Sequence, residues 1–297
     1  MRDYHIHTTI RDGVHSIDEI AEFAIMKGFE EIGFSEHFGI LPDDFENYMA
    51  NIDMIETELE EIKIKRCSPF SMRGSLLRYF NFIDRAREKY GDRITLKKGV
   101  ETDLYRSNAE KTYNFVKSLN PDYIIGAIHA FDQIGFHNYP TYFSVTEEDY
   151  KKYLREMIYF VKEKKMDILG HFYIYKCFVT FEDESVFYPL YEELAAACRD
   201  TGVVPEVNTG CMNMNFVFDP QEFFLKKCGE YDVPVIINSD AHNMYYLGSK
   251  FDIAFGLLQR AGVKYTASFT EGKKEIKEID YKKAGGFRWF PEMNVVW

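Results

Sequence analysis

Short apolar runs alternate with longer amphipathic segments from one end of the chain to the other. This is the pattern of repeated βα units around a parallel sheet. Strands are predicted at Asp3–His7, Glu31–Glu36, Ile94–Glu101, Tyr123–His129, Asp167–His171, Val203–Asn208 and Val235–Asp240. Ser16-Ile17-Asp18-Glu19 has the capping-box form, and Gly28 stands where the following helix should stop. Tyr150, Tyr153, Leu154, Met157, Ile158 and Val161 fall on one helical face. A further helix is predicted from about Lys250 to Ala261, closed by Gly262. Between the second and third strands lies an insertion at about 44–90, with helical patterns at Asp44–Lys65 and Ser75–Tyr90 joined by Cys67-Ser68-Pro69-Phe70. It is too long for a simple connection and is expected to cover or shape the substrate side. Lys264–Phe269, the turn Thr270-Glu271-Gly272-Lys273 and Lys274–Ile279 read as a hairpin, and the aromatic-rich tail to Trp297 takes no assignment.

Composition narrows the reading. A chain of 297 residues suffices for one large core, and α/β barrels of this length commonly stay undivided, so residues 1–297 are expected to form a single domain. Met1–His7 lacks the form of a signal peptide, and no stretch reaches the roughly 18 apolar residues of a membrane helix. A soluble, cytoplasmic protein with no membrane partner is expected. Cys67, Cys177, Cys198, Cys211 and Cys228 are scattered without a C-x-x-C pair, which argues for reduced, mostly buried thiols over disulfides or a zinc ribbon. With 36 basic against 48 acidic side chains the net charge is -12, a balance that repels long nucleic acids and favours a small substrate. A phosphorylated anion remains admissible if metal ions reverse the local field.

The candidate chemistry lies at the strand ends. His5 and His7 end the first predicted strand, His37 follows the second, and Glu101 ends the third. His129 ends the fourth, His171 the fifth, and Asp240 with His242 the seventh. In a closed ring of parallel strands these ends converge on one mouth, where barrel enzymes build their active sites. The period of extended chain sends both outer residues of His5-Ile6-His7 and of Asp240-Ala241-His242 to one side. A lone H-x-H is weak evidence, but six of the eight histidines stand at strand ends and none in the clear helical stretches. Imidazole and carboxylate together favour zinc, iron or manganese over magnesium or calcium. His15, just before the helix cap, is expected at the same mouth. Glu36 should face away from its neighbour His37. Glu206 and Asn208 end the sixth strand and are placed to orient ligands or touch substrate, and Asp103 reads equally as a partner behind the ligands or a solvated acid.

Asp3-Tyr4-His5-Ile6-His7-Thr8, Phe34-Ser35-Glu36-His37, Gly99-Val100-Glu101-Thr102-Asp103, Leu169-Gly170-His171, Glu206-Val207-Asn208-Thr209 and Asn238-Ser239-Asp240-Ala241-His242, in this order, resemble the polymerase and histidinol phosphatase (PHP) superfamily, and most of all its histidinol-phosphate phosphatase branch. The resemblance implies an α/β fold, a distorted seven-stranded (β/α)7 barrel, with two or three divalent ions (Zn, Fe or Mn) at the C-terminal ends of the strands. It implies nine ligand positions, filled here by His5, His7, His15, His37, Glu101, His129, His171, Asp240 and His242. Glu101 would bridge; His5, His7 and Asp240 would hold one ion, His129 and His171 a second, and His15, His37 and His242 a third. The implied activity is hydrolysis of a small phosphomonoester, L-histidinol phosphate, with Asp240 or His242 assisting proton transfer. Two departures concern the phosphate. Asn213 stands where the branch carries an arginine, and Lys176 stands near a second basic position without the flat fork of arginine. Another phosphomonoester, a phosphodiester or a nucleotide therefore stays open as substrate. An inactive metal-binding scaffold is the reading of another class, and the complete ligand set counts against it.

Overall fold

Seven strands pair in parallel in the order β1 (Arg2–Asp3), β2 (Glu31–Phe38), β3 (Thr95–Asp103), β4 (Tyr123–Ala127), β7 (Ile168–Leu169), β8 (Val204–Asn208) and β9 (Ile236–Asn238). The computed structural model of the chain describes residues 1–38, 76–131, 134–135, 145–211 and 219–284. β9 returns to the first strand through a parallel bridge between Ile6 and Ala241, where His7 N–H donates to the Ala241 carbonyl at 3.0 Å and Ala241 N–H to His5 at 3.1 Å. The result is a nearly closed barrel. Each predicted strand is present; the first is shorter, paired at Arg2–Asp3 and again at Ile6, and the fourth, fifth and seventh shorten to Tyr123–Ala127, Ile168–Leu169 and Ile236–Asn238.

Around the ring lie α1 (Ile17–Lys27), α2 (Leu76–Tyr90), α3 (Ala109–Ser118), α4 (Glu147–Lys162), α5 (Tyr188–Thr201), α6 (Asp219–Glu230) and α7 (Phe251–Arg260). Ser16 and Glu19 form the expected capping box on α1, and Gly28 closes that helix in the left-handed region at φ 78°. α4 buries the apolar face foreseen from its spacing, including Tyr150, Tyr153, Leu154 and Met157. No helix among the described residues is long and apolar enough to cross a membrane. The Asp44–Lys65 pattern, the Cys67–Phe70 loop, Asn213 and the tail beyond Ala284 lie outside the described residues. A two-residue ribbon, β5 (Ala130–Phe131) with β6 (Ile134–Gly135), follows β4 and had no signal in the alternation.

Two cores hold the barrel. The outer one packs the helices on the strands; the inner one fills the ring with Tyr4, Tyr123, Ile125, Ile168, Val204 and Ile236. Ala267 and Phe269 complete the inner core from the hairpin β10 (Tyr265–Thr270) and β11 (Lys273–Glu278). The hairpin turns at Glu271 and Gly272, both at positive φ as a two-residue hairpin turn requires. It is fastened by Glu271 N–H to Asp122 at 2.8 Å and by Lys97 Nζ to Thr270 Oγ1 at 2.6 Å. Tyr123 spans the interior, donating from its hydroxyl to the Tyr4 carbonyl at 2.6 Å. Its ring fits because β2 and β3 carry Gly33 and Gly99 beside it; a Cβ on either would lie 2.2 Å from Tyr123 atoms. α8 (Tyr281–Ala284) follows the hairpin, with the Tyr281 hydroxyl bonded to the Val263 carbonyl.

Candidate metal centre

The period of the strands carries the chemistry upward from the inner core. Ile125, Val204 and Ile236 face the interior; two or four residues further along the same chain segments come His129, Glu206 and Asp240. The β2–β3 register sets His37 directly beside Glu101. Asp240 follows β9 in the left-handed region at φ 52°, a conformation aspartate tolerates better than most residues and one that recurs at functional sites.

Glu101 is buried at the centre of five imidazoles. Its carboxylate oxygens lie 2.6 Å from His37 Nδ1, 2.8 Å from His171 Nε2, 3.3 Å from His129 Nε2, 3.4 Å from His5 Nε2 and 3.6 Å from His7 Nε2. Asp240 Oδ1 stands 3.2 Å from His7 Nε2 and 3.6 Å from both His5 Nε2 and His242 Nδ1. Asp12 brings a third carboxylate, with Oδ2 3.3 Å from both His37 Nε2 and His242 Nε2. Four overlapping sets result: His7, Asp12, His37 and His242; His5, His171 and Asp240; His5, His7 and Glu101; His37, Glu101 and His129. Within each set the potential ligand atoms lie within 4.8 Å of one another.

These residues fit divalent cations. His5 Nε2 and both ring nitrogens of His7 are buried without a hydrogen bond among the described residues, although a buried polar atom left so costs about 1–3 kcal/mol. Each points into a space bounded by carboxylates, where nitrogen and oxygen donors suit zinc, iron or manganese. The electrostatics agree. Burial, with His242 and His37 alongside, lowers the His7 imidazole pKa to about 4 and keeps the ring neutral, with one nitrogen lone pair available. Burial alone would raise the Glu101 carboxyl, but His37, His5 and His129 hold it well below the usual range.

The other predicted residues divide. His15 belongs to none of the four sets: its Nδ1 accepts the Met244 N–H at 3.4 Å and its ring stands edge-on to Tyr245. Asp12, which the strand-end reasoning passed over, enters instead. The signal was Asp12-Gly13: the loop doubles back so closely on the first strand that a Cβ at Gly13 would lie 2.4 Å from the His7 carbonyl oxygen. Glu36 turns away from the cluster and holds that loop, accepting Thr8 N–H at 2.9 Å and Thr8 Oγ1–H at 2.5 Å. Glu206 and Asn208 stand behind the cluster, with Asn208 Nδ2 donating to Glu206 and to Asp240 at 3.0 Å each. Asp103 Oδ1 lies 2.5 Å from His129 Nδ1. Lys176 is buried, bonded to Glu184 and set over the Phe181 ring, so its charge is already answered within the protein.

A ring of parallel strands with clustered imidazoles and carboxylates at one mouth defines a barrel protein of the metal-binding kind. The chain belongs to the PHP domain family, which its residues 3–210 match. It is 24% identical over 295 residues to the histidinol-phosphatase of Lactococcus lactis, covering 93% of this chain and 98% of that one. It is 21% identical over 275 residues to a probable histidinol-phosphatase of Schizosaccharomyces pombe, covering 86% and 84%. The crystal structure of Lactococcus lactis histidinol phosphate phosphatase, complexed with zinc, L-histidinol and phosphate, superposes with a TM-score of 0.70 at 19% identity, covering 92% of this chain and 98% of that one. At that identity the likeness establishes the fold.

Proposed function

We propose that this chain, a metal-dependent phosphoric ester hydrolase, hydrolyses L-histidinol phosphate to L-histidinol and phosphate, a step of histidine biosynthesis. The observation that carries the reading is Glu101 buried among five imidazoles at the mouth of a barrel whose relatives are histidinol-phosphatases along almost their whole length. Glu101, His5, His7, Asp12, His37, His129, His171, Asp240 and His242 would hold the ions, with Glu101 reaching more than one. Such ions supply a water acidified toward neutrality and a positive field for the phosphate oxygens. Asp240 and His242, whose side chains are 18% and 41% exposed, would pass a proton to the leaving alcohol.

A second reading, a different phosphomonoester on the same centre, is favoured by Lys176, whose pairing with Glu184 leaves its ammonium already engaged. Phosphate release from L-histidinol phosphate beside a panel of other esters, with metal content quantified and manganese, zinc or iron added back, separates the two. Preference for L-histidinol phosphate is expected, with all turnover lost in Glu101→Ala. Turnover of other esters alone overturns the substrate assignment, and full turnover by Glu101→Ala overturns the metal mechanism.

A further inference from the structure

We infer that Glu206 and Asp103 are positioning residues: each accepts a hydrogen bond from the Nδ1–H of one buried histidine, His5 and His129 respectively, and so turns that ring's Nε2 lone pair toward the ion-binding centre. The inference rests on the metal-centre reading and deepens it. A neutral imidazole has one N–H and one lone pair, and the partner of one nitrogen decides which is which. His5 Nδ1 lies 3.1 Å and 3.0 Å from the two oxygens of Glu206. Among the described residues, every other neighbour bonded to that carboxylate is also a donor: His171 N–H at 2.9 Å, Asn208 Nδ2 at 3.0 Å and Asn238 Nδ2 at 2.7 Å. Asn238 is itself oriented, because its Oδ1 accepts the Tyr4 N–H at 2.9 Å. A buried carboxylate surrounded only by donors has no role open to it except acceptor, so the proton between Glu206 and His5 belongs to Nδ1.

Asp103 repeats the device. Its Oδ1 lies 2.5 Å from His129 Nδ1, and both residues are buried. The far nitrogens then converge: Nε2 of His5 and Nε2 of His129 stand 3.4 Å and 3.3 Å from the same oxygen of Glu101. His37 is built differently. Its Nδ1 faces Glu101 at 2.6 Å and its Nε2 faces Asp12 at 3.3 Å, so both of its nitrogens look into the cluster. Carboxylates placed behind metal-binding imidazoles in this way hold the tautomer and raise ligand basicity, and their removal typically costs about 10–100-fold in metal affinity.

Glu206→Gln keeps the shape but puts an amide N–H₂ among donors, while Asp103→Asn leaves at best a neutral amide oxygen in place of the carboxylate facing Nδ1. The test measures zinc affinity of the full metal-stripped chain by competition with a chromophoric chelator, together with ¹⁵N ring spectra of the zinc-loaded wild type. Affinity is expected to fall about 10–100-fold in each variant, with melting of the metal-free proteins showing that the fold persists. The loaded wild type is expected to carry protons on Nδ1 of both His5 and His129. A proton on Nε2 of either ring, or zinc affinity unchanged in both variants while the wild type binds, overturns the inference and leaves the metal centre standing. A wild type that binds no zinc, iron or manganese refutes the metal centre and the inference together. Should one variant fail to fold, the other and the wild-type spectra decide.

Discussion

Gly99→Ala is the most searching perturbation of the barrel, because it adds one methyl group at a position where the space is already filled. The new Cβ would lie 2.2 Å from the Tyr123 ring and 2.4 Å from its hydroxyl oxygen. Backbone strain plays no part, since Gly99 pairs within β3 opposite Ser35 and Tyr123 and is not among the residues at positive φ. The ring must therefore move. Overpacking of this kind costs about 1–3 kcal/mol, and a Tyr123 hydroxyl displaced from the Tyr4 and Phe34 carbonyls adds about 1–3 kcal/mol as a buried group without a partner. The narrower freedom of alanine in the unfolded chain returns about 0.4–1 kcal/mol. The net expectation is a loss of about 1–5.5 kcal/mol. Urea unfolding of four proteins, wild type, Gly99→Ala, Tyr123→Leu and the double variant, isolates the clash as a coupling energy. In the Tyr123→Leu background the added methyl should cost little. A Gly99→Ala loss below about 1 kcal/mol, or one of equal size with and without the tyrosine, refutes the steric argument.

Asp12→Asn should reduce phosphatase turnover about 10–100-fold by withdrawing a carboxylate from the His37 and His242 side of the cluster. His15→Ala should stay within about twofold; steady-state rates at saturating metal decide, and the reverse ranking would restore His15 to the centre. Burial pushes the Cys198 and Cys228 thiols well above their usual range, which leaves little thiolate at pH 8. Both should resist a chromogenic disulfide reagent in the native protein and react fully in denaturant; rapid native reaction of either would contradict the packing.

The barrel was readable because parallel strands buried on both faces leave short apolar runs, and the helices between them leave a different period. His5, His7, His37, Glu101, His129, His171, Asp240 and His242 were readable because the C-terminal end of a strand is a position as well as a residue type. Asp12 was not, since it stands on a loop, and its place depends on a turn that only the absence of a side chain at Gly13 permits. His15 shows the converse: a histidine close to the mouth in sequence faces Tyr245 and Met244 once the chain is folded. The pairing of Lys176 with Glu184 spans eight residues with no periodic signature, so a side chain that reads as a phosphate contact becomes an internal ion pair. The ribbon of β5 and β6 is too short for alternation to register.

The seam between the first and last strands is the barrel's most slender joint, a single bridge between Ile6 and Ala241. His5 and His7 stand on one side of that joint, Asp240 and His242 on the other, more than 230 positions away along the chain. An ion gripped by both sides is a clasp as much as a reagent. Loading and closure would then be linked, and each tenfold rise in free metal above its dissociation constant would add about 1.4 kcal/mol to the closed ring.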